Sequence, residues 1–93
     1  MTECYAFGIG GLPNPLLHPK QAKKTAEFLN GMDGLMGIHL VDKYHTLLAF
    51  ETLNEAKAAR NKIAAEGNSV GNHIMRAEIS DDKQQITVKG PVE

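Results

Sequence analysis

A single cysteine, Cys4, leaves the chain with no internal disulfide. A lone thiol fits a reducing compartment and excludes the disulfide-stapled scaffolds of small secreted domains. Charge of one sign is also missing: ten Lys and Arg against eleven Asp and Glu give a formal net charge of −1. A protein that grips nucleic acid without regard to sequence needs a basic surplus, because phosphate neutralisation supplies most of that affinity. No apolar run approaches the ~18 residues of a membrane span. The opening MTECYAFGIGGL has no basic leader and no small-residue cleavage pattern. The expectation from these absences is a cytoplasmic protein with no membrane contact and no DNA partner.

Motifs that carry chemistry are equally scarce. His18, His39, His45 and His73 form no paired short-spacing motif, and Cys4 has no second thiol, so neither a metal site nor a cofactor is expected. His39 and His45 fall on either side of an expected hairpin, where register decides whether they meet. Gly8 to Gly11 (GIGG) follows a strand-like run, as a phosphate loop would. It lacks the third glycine of a dinucleotide loop and the Lys-Ser/Thr of a P-loop. Asp33, Asp42, Asp81 and Asp82 sit in turn contexts, where aspartate is favoured for local hydrogen bonds. No serine or cysteine has a recognisable base beside it, and the expectation is a protein that is not an enzyme.

What is present is an ordinary globular pattern. The 93 residues, 42% apolar and 23% charged, suit one domain with a modest core. Cys4 to Ile9 reads as a strand. A long connection, 10–18, follows, interrupted by Pro13 and Pro15. Pro19 suits the first position of a helix that runs to Asn30 and stops at Gly31. LMGIHLVDKYHTLLAFE reads as two strands joined near Asp42-Lys43-Tyr44. Thr52 with Glu55 three residues on forms a capping-box pattern and opens a second helix, Leu53 to Glu66, closed by Gly67. HIMRAEIS alternates as a fourth strand, and QITVK suggests an extra C-terminal one; 90–93 are expected to fray. The order is βαββαβ, which predicts a ferredoxin-like α+β domain: an antiparallel sheet with two helices on one face and a possible extra strand.

In this order and in these lengths the chain resembles the RNA-recognition-motif family across about eighty residues. That family carries a basic-glycine-aromatic motif on its third strand, whose aromatics stack bases on the open sheet face. Laid on KYHTLLAF, the motif places Lys43 at the basic position, Tyr44 at the glycine, His45 and Leu47 at the stacking aromatics, and Phe50 at an inward aromatic. Tyr5 falls at the stacking position of the first strand. An aliphatic Leu47 gives up much of the ~1–3 kcal/mol that stacking contributes per base. The resemblance thus implies the scaffold with most of the stacking chemistry replaced.

Strand alternation sorts the faces. Thr46, Leu48 and Phe50 mark the core side of the third strand, with His45, Leu47, Ala49 and Glu51 on the other. In the fourth, Met75, Ala77 and Ile79 are expected inside and Ile74, Arg76 and Glu78 outside. The first strand offers Tyr5, Phe7 and Ile9 on one side and Cys4, Ala6 and Gly8 on the other. If its large residues face outward, they join Leu47, Ala49 and Ile74 in an apolar patch of the kind that marks a partner site. The expected function is a small non-catalytic binding or regulatory module, such as an inhibitor of a larger protein, that acts through its open sheet face and the 10–18 loop. The expected contacts are Tyr5, Phe7, Leu12, Asn14, Leu16, Leu17, Leu47 and Arg76, with a protein partner or a second copy of the chain. The alternatives are single-stranded RNA held by Tyr5, Lys43, His45 and Arg76, and a dimeric domain sensing a small ligand.

Overall fold

Tyr5 stands opposite Phe50, Phe7 opposite Leu48 and Ile9 opposite Thr46, so the two most apolar stretches of the chain lie side by side at the centre of a sheet. The structure is a computed structural model that describes residues 1–10, 32–42 and 45–92. Its strands are β1 (Thr2–Ile9), β2 (Leu35–Leu40), β3 (Thr46–Phe50), β4 (Met75–Ile79) and β5 (Ile86–Pro91), and its helix is α1 (Leu53–Ala65). The strands form one sheet in the order β2-β3-β1-β4-β5, with every pair antiparallel.

The expected two-helix βαββαβ layout is therefore corrected. Among the described residues there are five strands and one helix, a sheet-rich α+β arrangement. The first expected helix, Pro19 to Asn30, lies outside the described residues, as does most of the 10–18 loop. The C-terminal strand is a full member of the sheet, paired with β4 from Ile79↔Ile86 to Met75↔Pro91. Gly90 and Pro91 were expected to fray. They are held instead by that pairing, and the Val92 N–H donates to the Ile74 carbonyl at 3.2 Å. Pro91 is tolerated because β5 is an outer strand, where a missing N–H breaks no ladder on the far side.

The α1 start follows the sequence pattern. The Thr52 side chain accepts from the Glu55 N–H at 3.2 Å, and its hydroxyl donates to the Glu55 carboxylate at 2.9 Å. That carboxylate fills the space a Cβ would need at Gly34, whose φ of +78° suits glycine. The Gly34 carbonyl accepts from the Glu51 N–H at 2.9 Å, so the entry to β2 is tied to the end of β3 just before the helix. Thr52→Ala should cost about 1 kcal/mol in a denaturant titration, the ordinary value for a lost N-cap.

One side of the sheet packs against α1. Phe7, Ile9, Leu48, Phe50 and Ile74 meet Ala56, Ala59 and Ile63 of the helix, and the Phe7 and Phe50 rings stack with centroids 5.6 Å apart. Alanines on the helix bring its backbone close to the strands, so the large side chains of the sheet supply most of the buried area. The opposite side was expected to lie open, and it does not. It holds a second buried cluster of Cys4, Ala6, Ala49, Ala77, Ile79 and Ile86, with Met36 and Leu47 packed against it.

Small residues explain how the second side is sealed. Cys4, Ala6, Ala49 and Ala77 leave the centre of the sheet thin enough to curl. Ile79 of β4 then reaches across β1 and β3 to Gly37 of β2, where a Cβ would lie 2.5 Å from the Ile79 Cδ1 and closer still to the Lys83 carbonyl. The turn between β4 and β5 thus folds over the cluster. That turn is tightly bonded: the Ser80 hydroxyl donates to the Asp82 carboxylate, Gln84 N–H donates to the same carboxylate at 3.0 Å, and Gln85 N–H donates to the Ser80 hydroxyl at 3.1 Å. These donors hold the Asp82 carboxyl below its ordinary range. Ile86, at the start of β5, meets His39 of β2, joining the two outer strands. Both sides of the sheet are therefore covered by the chain itself.

Candidate functional site

Two concavities bear on function, at opposite ends of β1. The first is an open recess of about 550 Å³ on the helix side, beyond the start of α1, lined by Glu3, Cys4, Tyr5, Glu51, Arg76, Ala77 and Lys89. Register puts Tyr5 beside Arg76 and Glu3 beside Glu78. Lys89 Nζ lies 2.7 Å from Glu78 Oε1 and 4.0 Å from Glu3 Oε1. The bond to Lys89 holds the Glu78 carboxyl below its usual range and, from the other side, raises the Lys89 ammonium. The charges of this recess cancel: two carboxylates, Glu3 and Glu51, face two cations, Arg76 and Lys89. A phosphate chain would find no net positive field there.

The second concavity is a shallow groove of about 360 Å³ that crosses the other end of β1, lined by Gly8, Ile9, Gly10, His45, Thr46, Leu47, Ser69, Val70 and Gly71. The walls are built by main-chain bonds. Gly71 N–H donates to the Gly8 carbonyl at 2.6 Å, Gly10 N–H to the Ser69 carbonyl at 3.1 Å, and Ile9 pairs with Val70. With no side chains at Gly8 and Gly10, the floor is low, and the half-buried Leu47 and Val70 are among the residues that line it. The groove adjoins the end of the β2–β3 hairpin. Leu40 is the cross-strand partner of Thr46, and the Val41 N–H donates to the His45 carbonyl at 3.0 Å. Leu40 is 60% exposed and Val41 50%.

The structure separates the residues expected to act together. Tyr5 and Arg76 meet on the helix side, where Tyr5 is half-buried against the core and Arg76 is exposed. Leu47 lies on the opposite side, half-buried against the second cluster, and His45 lines the groove beside it. Phe7 is corrected outright: it is 0% exposed and belongs to the core, because β1 turns its large side chains toward α1. Ala49 and Ile74, expected in an outward patch, are buried in different clusters. The RNA set is divided as well, since Tyr5 and His45 occupy different ends and different sides of the sheet. Leu12, Asn14, Leu16, Leu17 and Lys43 lie outside the described residues.

His39 and His45 do not face each other, because His39 pairs with Leu47. The His45 ring nitrogen Nδ1 sits 2.9 Å from the Asp42 carboxylate, and His39 is engaged with Ile86. Among the described residues no three His, Cys, Asp or Glu side chains lie close enough to hold a metal ion, and no helix is long and apolar enough to cross a membrane. Burial pushes the Cys4 thiol upward, partly opposed by the Lys83 charge, so it stays protonated and a poor nucleophile. Leu40 and Val41 escaped the sequence reading because alternation was applied to the first, third and fourth strands and not to the second, whose last residue is Leu40. No family model, no curated protein and no solved structure matches the chain.

Proposed function

We propose that the chain is a small non-catalytic binding module that works by contact with another protein, through the groove at Gly8–Gly10 and the exposed Leu40 and Val41 beside it. One observation carries the reading. Two large apolar side chains, each at least half exposed, adjoin a groove walled by Leu47 and Val70. Exposed apolar groups that adjoin a preformed concavity are what a partner's anchoring side chain needs, since burying them together removes apolar area from water. The near-neutral charge and the protonated, buried thiol support a binding role over a chemical one. Of the contacts expected from sequence, Leu47 remains in this surface. Occlusion of a larger protein, as by an inhibitor, is the mode of action that suits a chain of this size.

The test compares two baits, the wild-type chain and a Leu40→Asp/Val41→Asp variant, in affinity capture from the native host. At least one protein should be held by the wild type and reduced roughly tenfold with the variant, the loss expected when an anchoring apolar contact is removed. Both positions are exposed, so the fold should survive, which circular dichroism checks. Identical captures with the two baits would sink the reading. Salt-sensitive micromolar binding of fluorescent single-stranded RNA would replace it with the nucleic-acid alternative, and a concentration-dependent dimer in light scattering would make the partner a second copy.

A further inference from the structure

We propose that His39 is a protonation-operated latch on the seam where the two outer strands, β2 and β5, come together. The inference is independent of the partner reading above. Ser80 N–H donates to the Gln85 carbonyl at 2.9 Å, which makes Ile79↔Ile86 a cross-strand pair of the non-hydrogen-bonded kind. Both main-chain groups of Ile86 consequently point away from β4, and on an outer strand they would have no ladder partner. They meet the His39 imidazole instead, with Nδ1 lying 3.1 Å from the Ile86 nitrogen and 3.3 Å from its carbonyl oxygen. The ring takes the place of a neighbouring strand.

One ring nitrogen cannot serve both groups at once. Without a proton, Nδ1 accepts from the Ile86 N–H. With a proton, it presents a hydrogen to that same N–H and can bond only to the carbonyl. Proton uptake therefore strands a donor and puts a charge on a half-buried ring beside the cluster that contains Ile86, and both effects favour release. Histidine is the side chain whose charge ordinarily changes between pH 5 and 8. The ionisable groups on the elements packed around it are few. β3 carries no ionisable side chain, and β1 contributes to this side only the buried Cys4 thiol. Asp42 and His45 at the hairpin end are paired with each other, Lys89 of β5 is bonded to Glu78, and the β4–β5 turn brings Asp81, Asp82 and Lys83. Release frees the Ile86 edge of β5 and uncovers the second cluster.

The test is amide hydrogen exchange of the full chain by NMR between pH 8 and pH 5, expressed as protection factors so that intrinsic pH effects cancel. Ile86 protection, relative to a core amide such as Leu48, should fall roughly three- to tenfold as the ring takes up its proton, the loss expected for one hydrogen bond. His39→Asn places an uncharged acceptor near the Nδ1 position; it should retain the protection and lose the pH dependence. Wild-type protection that stays level or rises on acidification would overturn the proposal, as would an equal fall in H39N. Should that variant fail to fold, the wild-type ring resonances still decide. At pH 8 they must show Nε2 carrying the hydrogen and Nδ1 bare, and a hydrogen on Nδ1 would refute the latch.

Discussion

Gly37→Ala should destabilise the protein by about 1–3 kcal/mol, the range for forcing one extra carbon into a packed interior. The added Cβ would collide with the Lys83 carbonyl and with Ile79 Cδ1. The Ile79 side chain can rotate away; the carbonyl is main chain and yields only if the whole 80–85 turn lifts from the sheet. Valine at the same place adds two more carbons and should cost more than alanine. Gly90→Ala is the control, because it is another strand glycine with nothing within 4 Å of its added Cβ and no left-handed backbone. It should be neutral or slightly stabilising through lost freedom in the unfolded chain. Chemical denaturation of the three proteins measures the contrast. Equal stability of the Gly37 and Gly90 variants would show that the turn does not close over the sheet, and the sealed second side would go with it.

Phe7→Ala should cost about 3–5 kcal/mol, the usual loss for a buried phenylalanine. The ring is fully buried, stacks on Phe50 and contacts the cluster that α1 covers. Against a total of about 5–15 kcal/mol for a domain of ordinary stability, that loss removes a large share of the folded population's margin. For a domain near this size each kcal/mol moves the melting midpoint by about 4–8 °C. An outward-facing Phe7 on a docking surface would behave differently, changing stability by less than about 0.5 kcal/mol and affecting binding instead. Thermal unfolding of the variant therefore discriminates between the two orientations of β1.

Much of the local structure was readable from residue order. The strand runs around Phe7, Leu48 and Ile79, the Thr52–Glu55 helix start and the Gly67 stop all occur where their patterns predict, because each depends on neighbours within a few positions. Even the C-terminal strand was visible in QITVK, though not that it would hold Gly90 and Pro91. The candidate site was far less legible. Alternation puts Leu47 on the side of β3 away from Phe50, where the structure also has it, but its companions Val41 and Val70 come from segments 6 residues before and 23 residues after it, and nothing local links them. Phe7 was misplaced for a physical reason: two-residue alternation says which side chains share a side and never which side meets the core.

From the order of residues alone come the strands, the capped helix, the missing disulfide and the absence of a charge surplus. Those properties depend on composition and on contacts between near neighbours. Tertiary structure alone decided that β1 turns its rings toward α1, that small side chains let the sheet curl until Ile79 reaches Gly37, and that His39 meets Ile86 47 residues away. Curvature is a collective result of five strands packing at once, so no single stretch of the chain contains it.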